Sequence, residues 1–217
     1  MSLPFPQAVV FDWDNTLIDN WDAITEALNK VRAMSGLETW TTPEARVKSA
    51  RPMRVSFPEW FGDAWEARRD IFYAHFESVH IERLKVMAGA PELLAWLEAQ
   101  KIPAFIVSTK KNTLLNKEID HLGWRHYFKG IVGALDCPRD KPDRMPIDHA
   151  LAAAGLKADD PANWLVGDTH ADVECALRSG CTPVLIGDPA YAASLGIRAS
   201  FPDCHALRKW LEDARCL

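Results

Sequence analysis

Short, uninterrupted apolar runs alternate with segments of helical periodicity over most of the chain. Each run is three to five residues long, and they lie at 8–11, 104–107, 130–134, 164–166 and 183–186. A strand that is buried on both faces shows such a run instead of an alternation of polar and apolar positions. The segments between the runs have stripes such as Leu115, Ile119 and Leu122. We therefore expect an α/β fold with a parallel, Rossmann-like sheet covered by helices on both faces.

The segment 17–85 interrupts this alternation. It contains helical stripes but no convincing strand, and Gly36 is the predicted end of its first helix. We expect it to form a small α-helical cap domain, inserted into a catalytic core made of residues 1–16 and 86–217. Within the cap, 51–62 holds two prolines and several aromatic residues, and we predict a loop there.

Composition excludes several classes of protein. The 217 residues are 48% hydrophobic with a net charge of −5, and no basic patch indicates nucleic-acid binding. The five cysteines include no Cys-x-x-Cys pair, which argues against a zinc site and a disulfide framework and favours reduced thiols. The first residues show no signal peptide, and no apolar run is long enough to span a membrane. We expect a cytoplasmic protein without nucleic-acid or membrane partners.

Two aspartates follow the first apolar run directly. Asp12-Trp13-Asp14 comes where a buried strand should end, and the carboxyl ends of parallel strands are where open α/β sheets place their ligands. One carboxylate there can act as a nucleophile and its neighbour can transfer a proton. A simple turn is the alternative interpretation, because Asp and Asn are favoured turn residues.

Polar signals also follow three later apolar runs, in a fixed order. They are Ser108-Thr109-Lys110, then Lys141-Pro142, then Gly167-Asp168 with Asp172 four residues further on. A parallel sheet would bring Asp12, Ser108 and Asp168 to the ends of different strands at one edge. The two aspartates supply hard oxygen ligands that suit Mg²⁺, together with the backbone carbonyl of Asp14 and water.

The four motifs, in this order, resemble those of the haloacid dehalogenase superfamily. The similarity covers most of the chain and is greatest to the phosphoglycolate-phosphatase-like branch, which has a helical cap after the first motif. Asn15 stands where many members have Gly, at a variable position of the motif.

This resemblance implies a Mg²⁺-dependent phosphatase that acts on a small phosphorylated metabolite. Asp12 would be the nucleophile and form an aspartyl-phosphate, and Asp14 would be the general acid and then the base. Ser108 and Lys141 would bind the phosphoryl oxygens, with Thr109 beside them. The Mg²⁺ ligands would be Asp12, Asp14 and Asp168.

Two further residues are expected to support the site. Asp172 would orient Lys141 or a metal-bound water. Thr16 would either cap a helix or contact the substrate, and both interpretations stay open. In the cap, Arg51 and Arg54 either belong to a solvated basic loop, which we favour, or bind an anionic substrate.

Three other functions compete with the phosphatase. A phosphomutase would keep every core motif and differ in the cap. A metal-independent haloacid dehalogenase would share the nucleophile, but members of that branch typically lack the second aspartate, so Asp14 and Asp168 favour phosphate chemistry. A non-catalytic binding module would be expected to have lost at least one of Asp12, Asp14, Lys141 and Asp168.

Overall fold

A six-stranded parallel sheet forms the centre of the structure, a computed structural model that describes residues 3–49 and 53–215. The strand order is β5-β4-β1-β6-β7-β8, and every neighbouring pair is parallel. The strands of this sheet are β1 (Ala8–Phe11), β4 (Ala104–Lys111), β5 (Phe128–Ala134), β6 (Asn163–Gly167), β7 (Thr182–Ile186) and β8 (Ser200–Phe201). The α/β fold with a parallel sheet is therefore confirmed.

Ten α-helices lie in the part of the chain that the structure describes. They are α1 (Trp21–Met34), α2 (Thr42–Lys48), α3 (Met53–Phe61), α4 (Trp65–Arg83), α5 (Ala90–Ala99), α6 (Asn112–His121), α7 (Met145–Ala152), α8 (His170–Ser179), α9 (Pro189–Ser194) and α10 (Cys204–Arg215). Two short strands, β2 (Ile18–Asp19) and β3 (Lys85–Val86), pair with each other in a separate sheet.

Both faces of the central sheet are buried. Ala8 and Val10 of β1 pack in one apolar cluster with residues of α7 and α8, among them Ile147. Val9 and Phe11 point to the opposite face, because successive strand residues alternate, and they are buried as well. Double burial explains why β1 appears in the sequence as a continuous apolar run.

The chain divides into two compact units. One comprises Met1–Ile18 and Val86–Leu217, and the other comprises Asp19–Lys85. The second unit contains α1 to α4, and α1 packs against α2 and α4. The expectation that 17–85 contains no strand is wrong at its two ends, where Ile18–Asp19 and Lys85–Val86 form strands. Two residues are too few to produce a hydrophobic pattern.

The predicted loop over 51–62 is wrong for its described part, because Met53–Phe61 is helical and includes Pro58. A proline inside a helix costs about 3 kcal/mol relative to alanine. Burial of an aromatic residue offsets that cost: Phe57 is 1% exposed, and its ring centroid lies 5.1 Å from that of Phe61 and 5.9 Å from that of Phe72. Tertiary packing thus overrides the local signal.

None of the helices in the described ranges is both long enough and apolar enough to cross a membrane.

Because Phe57 is buried, Phe57→Ala should destabilise the unit Asp19–Lys85 by about 3–5 kcal/mol. This is the usual loss when a buried Phe becomes Ala. Val55→Ala on the same helix is the matched control, because Val55 is 42% exposed, and we expect a change within about 0.5 kcal/mol. Urea unfolding followed by tryptophan fluorescence measures both. Equal losses for the two variants would contradict the packing role of Phe57.

Candidate active site

Adjacent strands bring three predicted site residues to the same edge of the sheet. Phe11 of β1 lies opposite Ile106 of β4 and Val166 of β6. Asp12 follows Phe11 directly, and Ser108 and Asp168 each lie two residues beyond their paired positions. The register thus places all three side by side toward the carboxyl ends of neighbouring strands, although β4 continues to Lys111. This is the usual ligand position in such sheets.

A tight turn follows Asp12. The Leu17 and Ile18 amides both donate to the Trp13 carbonyl, at 3.0 and 3.2 Å. Asn15 has a φ of 62°, in the left-handed region that Asn and Gly tolerate better than other residues. This conformation gives a physical reason why Asn can occupy a position where many similar proteins have Gly.

Lys141 joins two carboxylates in the interior. It lies between β5 and α7, and its side chain is only 3% exposed. Its Nζ donates to Asp12 Oδ1 at 2.5 Å and to Asp172 Oδ1 at 2.6 Å. The ammonium group therefore fixes the Asp12 carboxylate from one side.

A helix cap holds Asp172 in place. Thr169 is the N-cap of α8, and its Oγ1 accepts from the Asp172 amide while Asp172 Oδ2 accepts from the Thr169 amide and hydroxyl. Gly167 leaves room for this arrangement, because a Cβ there would lie 2.4 Å from Asp172 Cγ. The sequence reasoning did not include Thr169, although Thr-x-x-Asp at the start of a helix resembles a capping box.

Three carboxylates converge beside Lys141. Asp12, Asp168 and Asp172 each offer an oxygen, and these oxygens lie within 4.8 Å of one another. Asp168 Oδ1 is buried and makes no hydrogen bond to the described residues. Hard, closely spaced oxygens with one unsatisfied acceptor fit a divalent cation such as Mg²⁺.

The electrostatics of this cluster also favour a cation. Burial, together with the Asp172 and Asp168 carboxylates, raises the pKa of Asp12 to about 8 and outweighs the lowering by Lys141. Burial and the charge of Asp172 raise the pKa of Asp168 to about 7. Three carboxylates face one ammonium, and a divalent cation would balance the excess negative charge.

Asp14 faces a different partner. Its side chain is 32% exposed, and Lys110 Nζ donates to its Oδ1 at 2.9 Å. Among the described residues, the Asp14 carboxylate is not part of the three-carboxylate cluster, and a contact of its backbone carbonyl with Mg²⁺ stays a prediction. Lys110 was not among the predicted site residues, although it follows Ser108 and Thr109 directly.

The remaining predicted residues differ in their surroundings. Ser108 is 6% exposed and Thr109 is exposed. The helix-cap interpretation of Thr16 is wrong, because α1 begins at Trp21 with Asn20 as its N-cap. Thr16 Oγ1 is buried, with no hydrogen-bond partner among the described residues.

Arg54 and His170 are both solvent-exposed. Arg54 is an exposed residue of α3, and Arg51 lies outside the described residues. The His170 side chain is 65% exposed and lies 4.0 Å from Glu174 Oε2.

A doubly covered parallel sheet with an acidic cluster and a buried lysine at its carboxyl edge is typical of α/β enzymes, which bind their ligands at that edge. The chain belongs to the haloacid dehalogenase-like hydrolase family, whose sequence model matches residues 9–186. The resemblance inferred from the motifs is therefore confirmed.

Curated relatives are similar along nearly their whole length. A phosphoglycolate phosphatase of Rhodospirillum rubrum is 31% identical over 95% of this chain and 91% of its own. One from Chromobacterium violaceum is 29% identical over 90% of this chain and 92% of its own.

Solved structures share the fold. A HAD-superfamily hydrolase from Ehrlichia chaffeensis is 26% identical, with a TM-score of 0.70 over 98% of both chains. A predicted phosphoglycolate phosphatase from Haemophilus somnus has a TM-score of 0.82 at 18% identity, over 96% of this chain and 99% of its own. The latter supports the fold alone.

Asp12→Asn should stabilise the metal-free protein at pH 8 by about 1 kcal/mol or more, since each pH unit of pKa shift corresponds to about 1.4 kcal/mol. The pKa of Asp12 rises from 3.8 to about 8 on folding, so the folded state binds the proton more tightly. The wild type should therefore lose stability as the pH rises from about 4 to about 8.

The measurement is chemical unfolding in a chelator at pH 6 and pH 8. Asp213→Asn, on the exposed surface of α10, is the control and should behave as the wild type. A variant Asp12→Asn that is no more stable than this control at pH 8 would contradict the crowding of negative charge.

Proposed function

We propose that the protein is a Mg²⁺-dependent phosphatase that hydrolyses a small phosphorylated metabolite through an aspartyl-phosphate on Asp12. The observation that supports this most is the contact of the Lys141 ammonium with Asp12 and Asp172 beside Asp168. A nucleophilic carboxylate must approach an anionic phosphate, and positive charge at the point of attack lowers that repulsion.

The reaction has two steps on the residues of this chain. In the first, an Asp12 oxygen forms a bond to phosphorus while the bond to the leaving oxygen breaks, and Asp14 donates a proton to that oxygen. In the second, Asp14 removes a proton from water, the water oxygen attacks phosphorus, and the bond to Asp12 breaks. Inorganic phosphate and free Asp12 result.

Lys141 and Ser108 would stabilise the charge that develops on the phosphoryl oxygens. Lys141 is fixed by two carboxylates, and Ser108 is buried within β4. Donors that are fixed before the reaction stabilise the transition state without a cost of reorganisation. Thr109, exposed next to Ser108, stays a predicted substrate contact.

Mg²⁺ would be held by Asp12, Asp168 and the backbone carbonyl of Asp14, and when bound it would supply positive charge against the phosphate. Asp172 would act from behind Lys141, because one of its oxygens is committed to the cap of α8 and the other to the ammonium.

The relatives named phosphoglycolate phosphatase make 2-phosphoglycolate the first substrate to test. The predicted cap over 17–85 is proposed as a mobile lid that excludes water and selects the substrate. A grip of Arg51 or Arg54 on the substrate, and a cytoplasmic location, remain predictions.

The proposed function is tested by turnover of 2-phosphoglycolate and 4-nitrophenyl phosphate with Mg²⁺ and with a chelator. We expect hydrolysis only with Mg²⁺. When the reaction of the wild type is stopped with acid, phosphoprotein should be recovered, because an aspartyl-phosphate is stable in acid. Asp12→Asn should remain folded, form no phosphoprotein and lose at least about 10³-fold in kcat. Full activity in the chelator, or phosphoprotein in the Asn variant, would refute the mechanism. Conversion of a sugar phosphate to its isomer without release of phosphate would indicate a phosphomutase.

Asp168→Ala should weaken Mg²⁺ binding, because it removes the buried oxygen that has no hydrogen-bond partner among the described residues. Isothermal titration with Mg²⁺ should show at least a tenfold higher Kd, and kcat at saturating substrate should fall strongly. Asp188→Asn, which alters an N-cap on α9, is a control for the loss of one carboxylate. Unchanged Mg²⁺ affinity in Asp168→Ala would place the metal elsewhere.

A further inference from the structure

A second buried chain of polar groups leads to Asp14. The Trp13 indole Nε1 donates to Glu118 Oε2 at 2.7 Å. Lys110 Nζ lies 2.7 Å from Glu118 Oε1 and donates to Asp14 Oδ1 at 2.9 Å. The chain thus runs from the residue between the two aspartates, through α6 and the end of β4, to the second aspartate.

Burial shows which end of this hydrogen-bonded series of side chains is fixed. Glu118 is 0% exposed and the Lys110 side chain 6%, whereas the Asp14 side chain is 32% exposed. A buried carboxylate needs a partner in the protein, so Glu118 commits Lys110 to its position. Asp14 is the partly exposed member, and it gains a fixed cation.

Aromatic packing fixes Trp13, the first side chain of this hydrogen-bonded series. Trp13 is 0% exposed and meets Trp124 and Phe128 edge to face, at centroid distances of 5.9 and 6.4 Å. Its indole nitrogen is thereby fixed, and so is the Glu118 carboxylate that accepts from it. Lys110 consequently offers Asp14 a hydrogen-bond donor at a defined point.

We infer that Lys110, held by Glu118, is a positioning residue that orients the Asp14 carboxyl group for proton transfer. The arrangement parallels the other aspartate of the motif, since Lys141 holds Asp12 and is itself held by Asp172. Each aspartate has its own lysine, and each lysine its own second carboxylate. The inference rests on the proposed function, in which Asp14 protonates the leaving oxygen.

This role has a kinetic signature. An alkoxide leaves poorly without a proton, whereas 4-nitrophenolate is stable enough to leave unprotonated, so only alkyl phosphates depend on the acid in the first step. The parameter kcat/KM reports the steps through formation of the aspartyl-phosphate. Its hydrolysis needs the base for every substrate, so kcat should fall for all of them.

The experiment measures kcat/KM and kcat of the wild-type protein and of Lys110→Met with three substrates. They are 4-nitrophenyl phosphate, 2-hydroxyethyl phosphate and 2-phosphoglycolate. For Lys110→Met we expect kcat/KM to fall about 10- to 100-fold with both alkyl phosphates, part of the 10²–10⁴ that general acid–base catalysis supplies. With 4-nitrophenyl phosphate it should stay within about threefold, while kcat falls. Lys110→Arg should recover much of the loss.

Two further variants separate positioning from folding. Lys110→Met removes the Lys110–Glu118 ion pair and leaves the Glu118 carboxylate buried, so the double variant Lys110→Met/Glu118→Gln should regain thermal stability. It should keep the kinetic defect, because Asp14 still lacks its lysine. Lys209→Met, on the exposed side of α10, removes one surface lysine and should match the wild type in both respects.

Four results would overturn the inference. Equal losses of kcat/KM with all three substrates would mean that Lys110 contacts the phosphoryl group, and a loss with 2-phosphoglycolate alone would mean that it binds the substrate carboxylate. Wild-type kinetics with a lowered Tm would make the pair purely structural. Recovery of kinetics in the double variant would trace the defect to the buried charge of Glu118 after the loss of Lys110. If the wild type hydrolyses none of the three, the proposed function fails together with the inference.

Discussion

The Lys141 ammonium between Asp12 and Asp172 is the interaction on which the arrangement of this site depends. Three carboxylate oxygens within 4.8 Å of one another would repel strongly in a buried environment without a cation between them. Several local features hold the parts of the contact. The end of β1 supplies Asp12, the capping box of α8 fixes Asp172, and the absence of a Cβ at Gly167 leaves room for the second carboxylate. Lys141 offsets only part of the negative charge, and the remainder is the physical basis for proposing Mg²⁺.

Each aspartate of the first motif contacts a buried lysine that is itself held by a second carboxylate. Trp13 separates the two aspartates and packs into the core, so Asp12 and Asp14 are directed to different partners. The turn that follows needs a residue at a φ of 62°, and Asn15 accommodates it. A double-aspartate motif can therefore combine two functions that conflict electrostatically. In the proposed mechanism, the Asp12 carboxylate beside Lys141 attacks phosphorus, and the partly exposed Asp14 carboxylate beside Lys110 transfers the proton.

Much of the core could be predicted from the sequence because its strands are buried on both faces. Continuous apolar runs such as 104–107 then indicate strands directly. Residues that follow such runs, for example Ser108, lie toward the carboxyl edge of the sheet, where the site is proposed. The helix at Met53–Phe61 was not predictable in this way, because Pro58 opposes it and the compensating contacts of Phe57 come from α4. Lys110 and Glu118 were missed because they meet only in space. The signal was a charged residue at position 118, on the buried stripe of α6.

A crystal structure with Mg²⁺ and beryllium trifluoride, which mimics a phosphoryl group on a carboxylate, tests the central claim most directly. The account predicts that beryllium is bonded to an Asp12 oxygen and that Mg²⁺ is bound by Asp12 and Asp168. It also predicts that Lys141 still contacts Asp172. Beryllium on Asp14, or a metal bound away from Asp168, would contradict it.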